Sequence, residues 1–245
     1  MPTEPRAWEG VLAHIEARLV DGDLRLGDHL PAERTLAADL GVARSSVREA
    51  IRVLEAMGLV RTQTGSGPSS GAIIVARPVG GMQALMRLQV AANGFPVADV
   101  VRTRLLLETA VAADLAERPS GIDLADARQL LDAMDNPALT AEEFLALDAQ
   151  FHLALAEASG NSVVAAMMAG LRTSIESYVL SGAARIPGWE TMAARLRGEH
   201  RGILGAIVAG DGRDARARVH DHISGYYRDA PPESVASSTI HHESR

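Results

Sequence analysis

Apolar residues return every three or four positions through most of the chain, and the breaks in that rhythm fall mainly on Gly, Pro, Asn and Asp. The segment WEGVLAHIEARLVDG (Trp8 to Gly22) places Val11, Leu12, Ile15 and Leu19 on one face of a helix that Asp21 and Gly22 end. A turn-rich connector from Leu24 to Pro31 leads to a short helix from Ala32 to Leu40, with Leu36, Ala37 and Leu40 inward and Gly41 as its stop. A third helix is predicted from about Ala43 to Met57, with Val47, Ile51 and Leu54 inward and Gly58 behind it. The pattern then changes: LVRTQT and AIIVA are β-rich runs on either side of GSGPSSG (Gly65 to Gly71), which reads as a hairpin with a loose tip. RPVGG (Arg77 to Gly81) reads as a hinge. Beyond it the helical period resumes, at about 82–93, 97–117, 122–135, 140–159, 161–182, 189–209 and 212–228, and no strand is predicted. Short punctuated loops between such segments suggest an antiparallel bundle. The expected organisation is an N-terminal unit of residues 1–77, a linker at 78–81, an all-helical unit of residues 82–230 and a disordered tail at 231–245, in a mainly α chain.

Composition narrows what such a chain does. At 47% apolar residues it is not an intrinsically disordered protein, and with 3% aromatics its core is left to Leu, Val, Ile, Ala and Met. The absence of cysteine excludes disulfides, thiolate metal sites and cysteine nucleophiles together. All 24 basic residues are Arg, so every cationic contact is a planar fork suited to phosphate and guanine. The net charge of −7 is uneven: residues 1–77 hold 9 Arg against 10 acids, and the remainder 15 against 21. That balance argues against indiscriminate nucleic-acid binding and leaves room for a local cationic surface. No basic segment precedes an apolar run at the N-terminus, and no run of 18 apolar residues appears. A cytoplasmic protein without membrane contact is therefore expected.

Helix, short helix, tight turn, helix and hairpin follow in the order of a winged helix-turn-helix. On the third helix Arg44, Arg48 and Arg52 fall four apart, away from the apolar face. Like charges at that spacing repel by a few tenths of a kcal/mol, so a solvated helix gains nothing from the row. A helix lying in a DNA major groove does gain, because phosphates and guanine edges neutralise it. Arg44 and Arg48 are placed to reach base edges, and Ser45 and Ser46 to hold a phosphate at the helix N-terminus. For Arg52 a backbone contact and an ion pair with Glu55 are both open. Arg34 lies near the start of the short helix, and Gly65, Ser66 and Gly67 would let a wing tip approach the minor groove. The stretch LPAERTLAADLGVARSSVREAIRVLEAMGLV resembles, over about 30 consecutive positions, the N-terminal domain of GntR-family bacterial transcription regulators. The departure is Ala43, where Ser is common in that family. The resemblance implies DNA contacts by Arg34, Arg44 and Arg48.

In the C-terminal half, Asp148 and His152 stand at i and i+4 on a helix face that also carries Leu145, Leu155 and Ala156. His200 and His222 lie in two further apolar helices. One carboxylate and three imidazoles suit a divalent transition metal. Spacing alone favours a hydrogen-bonded Asp–His couple over a metal site, His222 reads equally as a satisfied core residue, and His220 competes with it. The helical region resembles the FCD ligand-binding domain of the FadR subfamily in RLLLETAVAADLA, DAQFHLALAEASGN, EHRGILGAIVAGD and the late His222. That resemblance implies a Zn²⁺ or similar ion (Ni²⁺ and Mn²⁺ suit the same donors) on Asp148, His152, His200 and His222. It further implies a small carboxylate effector in the same cavity. Arg104 is the candidate clamp for that effector, with an i,i+4 pair to Glu108 as its alternative; Asn161 and Arg172 are weaker candidates, and Arg102 stands where relatives often carry an acid.

The expected function is a ligand-controlled regulator, acting as a repressor: a homodimer on a palindromic double-stranded operator that releases it when an organic acid binds the metal. Two alternatives stand beside this reading. A metal-dependent hydrolase would use Glu199 as base, although Glu199 points about 100° from His200 on a helix. An architectural DNA-binding dimer would have a purely structural helical half.

Overall fold

The computed structural model describes residues 6–63, 71–76, 78–118 and 121–230, which divide into two compact units, Met1–Met82 and Gln83–Arg245. The wing tip expected at Gly65, Ser66 and Gly67 and the tail expected at 231–245 lie outside the described residues.

The N-terminal unit holds α1 (Ala7–Val20), α2 (Glu33–Leu40), α3 (Arg44–Ala56) and an antiparallel pair, β1 (Val60–Gln63) with β2 (Gly71–Ile74). The strands pair in the register Val60 to Ile74 through Gln63 to Gly71. The helical faces predicted from spacing are the buried ones. Val11 and Ile15 of α1, Leu36 and Ala37 of α2, and Val47, Ile51 and Leu54 of α3 form one core with Val60 and Ile74. Leu12, Leu19 and Leu40 flank it half-buried. Gly41 ends α2 with φ of 64°, a left-handed cap that glycine adopts without strain and that turns the chain into α3.

Residues 78–81 are not a linker. α4 (Pro78–Ala91) starts at Pro78, so they form its first turn. A proline there loses no hydrogen bond, because the first amides of a helix have no intrahelical partner, and its fixed φ suits the turn. Gly81 sits against the C-terminal end of α3: a Cβ built on it would meet the carbonyl carbon of Met57 at 2.8 Å and the carbonyl oxygen of Ala56 at 2.9 Å.

The second unit continues with α5 (Val97–Glu117), α6 (Ala125–Met134), α7 (Ala141–Ala158), α8 (Ser162–Ala183), α9 (Trp189–Val208) and α10 (Gly212–Asp229). α10 packs on α5 and α9, and α7 on α6 and α8. The core is largely aliphatic, with Phe144 and Phe151 fully buried. The helix starts are chemically marked. Thr140 and Glu143 form a reciprocal capping box on α7, and the side chains of Asn161 and Asp211 accept amide hydrogen bonds at the starts of α8 and α10. α6 begins at Ala125 rather than at 122, because the Asp123 carboxylate accepts from the Ala125 amide at 2.9 Å and holds a turn there. α8 is long and apolar enough to cross a membrane by length and composition, yet it carries Arg172 and Glu176, and Arg172 is buried among charged partners.

Two neighbouring glycines test the seating of α4 on α3. Gly81→Ala is expected to destabilise the N-terminal unit by about 1–3 kcal/mol through overpacking against backbone. Gly80→Ala, with nothing within 4 Å of the added carbon, should be neutral or stabilising by up to about 1 kcal/mol. Chemical denaturation of the two full-length variants reads the contrast directly.

Candidate functional site

α3 presents its arginines to solvent because its opposite face is committed to the core. Arg34, Arg44, Ser45, Arg48 and Arg52 are exposed, and Ser46 is half-buried. Glu33, in the first turn of α2, organises two of them: Arg48 donates to its carboxylate at 3.0 and 3.4 Å, and Arg44 lies 4.0 Å from it. This contact raises the Arg48 pKa, through its hydrogen bond and then through charge. Glu55 is turned away from Arg52 and accepts from the amide and hydroxyl of Thr62 on β1, at 2.9 and 2.5 Å. No side chain caps α3, whose N-cap is Ala43, so neither Ser45 nor Ser46 replaces the missing hydroxyl. Its first-turn amides point outward beside the exposed arginines, an arrangement suited to phosphate.

In the helical unit, α7, α9 and α10 bring Asp148, His152, His200 and His222 together, with one donor atom from each lying within 4.8 Å of all the others. The Nε2 atoms of His200, His222 and His152 lie 2.9, 3.7 and 3.8 Å from Asp148 Oδ1, and those of His152 and His222 are 3.2 Å apart. Nitrogens bound to one zinc at about 2.0–2.1 Å would be separated by roughly 3.0–3.4 Å. The outer nitrogens show why Nε2 is the free donor. His152 Nδ1 lies 2.6 Å from Glu108, and His222 Nδ1 lies 2.8 Å from Glu199. A proton held there leaves the Nε2 lone pair facing the cluster, the usual support behind a metal-binding histidine. His200 is fully buried, and among the described residues neither of its ring nitrogens has a hydrogen-bond partner; Nε2 is close to Asp148 but out of line with it. Such an orphaned imidazole is costly unless something else accepts its lone pair. The residues present fit a divalent metal. His220 is exposed, with its ring turned to Asp221.

Behind these donors lies a buried charge network. Arg104 donates to Glu108 at 2.8 Å and to the Tyr227 hydroxyl at 2.8 Å. Arg172 donates to Asp148 at 3.2 Å and to Glu108 at 3.4 Å. Burial alone would raise both carboxyls. For Glu108 the nearby Arg104, Arg172 and His152 outweigh it, and for Asp148 His200, His152 and Arg172 do, so both are held well below the usual carboxylate range. Burial, then the charge of Arg172, pushes His152 down from 6.5 to about 3. Burial, then His222, also lowers His200. Both shifts favour the neutral imidazoles of His152 and His200 in the metal-free protein, as ligation requires.

A cavity of about 320 Å³ opens beside the cluster, with Arg104, Asp148, Arg172, His222 and Tyr227 in its wall. Arg104 therefore makes the expected pair with Glu108 and also faces the cavity. Arg172 is more central than its sequence context suggested, since it touches Asp148 itself. Asn161 does not belong to this wall: it is exposed, and its side chain is occupied by the Val163 and Val164 amides. Arg102 is exposed near Asp99 and leaves the cavity charge untouched. Glu199 serves the outer nitrogen of His222, opposite its Nε2, which removes the base that a hydrolase would use. The sequence singles out neither Glu33 nor Tyr227, and it offers Glu108 only as a partner for Arg104 and Glu199 only as a hydrolase base, not as supports behind His152 and His222. Glu33 and Glu108 carried a weak signal, as acids next to, or one turn from, a singled-out arginine.

Residues 8–68 match the family model described as bacterial regulatory proteins, gntR family, and residues 99–225 match the FCD domain. The chain is 30% identical over 230 residues to the HTH-type transcriptional regulator LutR of Bacillus subtilis (strain 168), covering 85% of this chain and 97% of that protein. It is 28% identical over 230 residues to the putative L-lactate dehydrogenase operon regulatory protein of Escherichia coli (strain K12), covering 89% and 84%. The solved structure of Streptococcus agalactiae GntR aligns with a TM-score of 0.65 at 26% identity, covering 91% of this chain and all of that one.

The purified full chain is expected to carry about one divalent ion per protomer by plasma mass spectrometry, and His200→Ala to lose most of it. In the metal-free protein the His152 pKa lies below its unfolded value, so only the unfolded chain takes a proton between pH 6.5 and about 3. Stability should therefore fall with pH through that window, by about 1.4 kcal/mol per unit for this group alone. Glu108 and Asp148, also depressed, lose their contributions in the same direction as pH falls. Chelated protein unfolded by urea from pH 7.5 downward measures the slope.

Proposed function

The chain belongs to the GntR family of bacterial transcription regulators and carries an FCD domain, and from that premise we propose that it is a repressor whose operator affinity is set by an organic acid bound at a divalent metal. The supporting observation is the convergence of three Nε2 atoms on Asp148 beside a cavity that two buried arginines face. Asp148, His152, His200 and His222 would hold the ion, which supplies a Lewis-acid point for a carboxylate oxygen. Zinc, nickel and manganese all suit this nitrogen and oxygen donor set, with zinc the first choice. Arg104 and Arg172 would take the remaining carboxylate oxygen by the paired geometry that guanidinium favours. A relative named for an L-lactate dehydrogenase operon agrees with an acid as the signal.

In the N-terminal unit, Arg44 and Arg48 would read base edges in the major groove, with Arg34, Arg52, Ser45 and Ser46 on the backbone. Glu33 would hold Arg48 extended before DNA arrives. Two chains would place two α3 helices on the halves of a palindromic operator. α4 offers the route between signal and response. Its Gln83 lines the cavity, while its first turn packs on the end of α3 through Gly81. An acid that moves this helix changes the presentation of α3, and linkage makes operator release follow from the difference in acid affinity between the two states.

Arg48→Ala should cost about 1–3 kcal/mol in operator binding and much less on random DNA, measured by fluorescence anisotropy at fixed salt. Equal losses on both would refute base reading by Arg48. His200→Ala should bind operator normally and no longer respond to acid; a response of wild-type size would refute control through the metal.

A further inference from the structure

The cavity is larger and less polar than recognition of a short acid requires. It runs along α7 from Glu142 to Leu153, about 16 Å of helix, and is closed on the other side by α8 and α10. Its volume of about 320 Å³ lies within the range of small-molecule sites, and its run along α7 exceeds the length of a three-carbon acid. A three-carbon hydroxy acid would leave much of it to solvent.

The polar groups are unevenly placed. Arg104, Asp148, Arg172 and His222 gather at the metal cluster, where the arginines are buried. Leu145, Ile175, Val179, Leu180 and Ile223 supply apolar wall. The exposed lining residues Glu142, Ala146, Gln150 and Glu176 mark where the cavity meets solvent. Among the described lining residues Arg104 and Arg172 are the only guanidinium groups, and the exposed rim carries the carboxylates of Glu142 and Glu176. One carboxylate therefore finds partners at the inner end, whereas a second, placed a chain length away, meets like charge at Glu142 and Glu176.

We infer that the effector is a monocarboxylic acid with an apolar body of about six to eight carbons, not a short hydroxy acid and not a long dicarboxylate. This rests on the acid-sensing reading above and names the class of acid. The head group would sit at the arginines and the metal ligands, and the body along α7 and α8. Each methylene buried there adds about fourfold in affinity.

Isothermal titration of the zinc-loaded full chain with octanoate, L-lactate and octanedioate tests it. Octanoate is expected to bind at least about tenfold tighter than either of the others. Ala146→Phe, a change at the exposed rim, should weaken octanoate at least about fivefold while altering lactate little. Glu142→Gln combined with Glu176→Gln should narrow the gap between octanoate and octanedioate. Lactate or octanedioate binding as tightly as octanoate overturns the inference and leaves acid sensing intact. If no acid binds while zinc is retained, the acid-sensing reading itself falls, and the inference with it.

Discussion

Two carboxylates and two guanidinium groups share one nearly dry region between α5, α7 and α8, and none of the four is tolerable there alone. Glu108 is the centre of the arrangement: it receives Arg104, Arg172 and the outer nitrogen of His152. Removing either arginine would leave buried carboxylate charge uncompensated, which costs several kcal/mol, more than the pair itself contributes to stability. The four charges cancel. A divalent ion held by the neighbouring imidazoles and Asp148 would leave the region with an excess of positive charge, and an incoming acid would reduce that excess. On the proposed reading, the same groups that offset one another in the interior would also favour an anion there.

This arrangement also ties the candidate metal donors to the arginines proposed to hold an acid, without a dedicated connector. Arg172 touches both Asp148 and Glu108, and Glu108 touches both Arg104 and His152. An acid that draws either arginine toward the cavity alters the support behind a metal ligand. The reverse also holds, because coupling between two bound species is reciprocal. Glu199 plays a looser version of this part for His222. It is partly exposed, and its other neighbour, Arg195, also pairs with Asp229 near the end of α10.

Helical periodicity carried most of the architecture. It identified the buried faces of α1 to α3, the solvent row of arginines on α3 and the shared face of Asp148 and His152, because each depends on residues within a few turns of one another. What it missed depends on contacts distant in the chain. Glu199 meets His222, and Arg172 meets Asp148, only after the bundle has assembled. Glu33 reaches Arg48 across the turn between two helices. Asn161 misled for the opposite reason: a residue in a family-like stretch was assigned to the cavity, while its immediate neighbours made it a helix cap. Pro78 misled as well, since a proline that breaks a helix interior is well suited to begin one. Of the alternatives for Arg104, the pair with Glu108 is present, and the same guanidinium reaches Tyr227 and lines the cavity.

The contact between Gly81 and the backbone at the end of α3 bears on how such proteins are recombined. The opening turn of α4 is part of the N-terminal unit in packing, although its helix continues into the helical unit. A hybrid regulator joined at Pro78 would divide a packed junction and leave a foreign residue facing carbonyl groups that admit no side chain. A splice placed after Met82 would keep the glycine with the helix it was shaped against, so the natural seam for exchanging sensors lies inside a helix rather than in the loop before it.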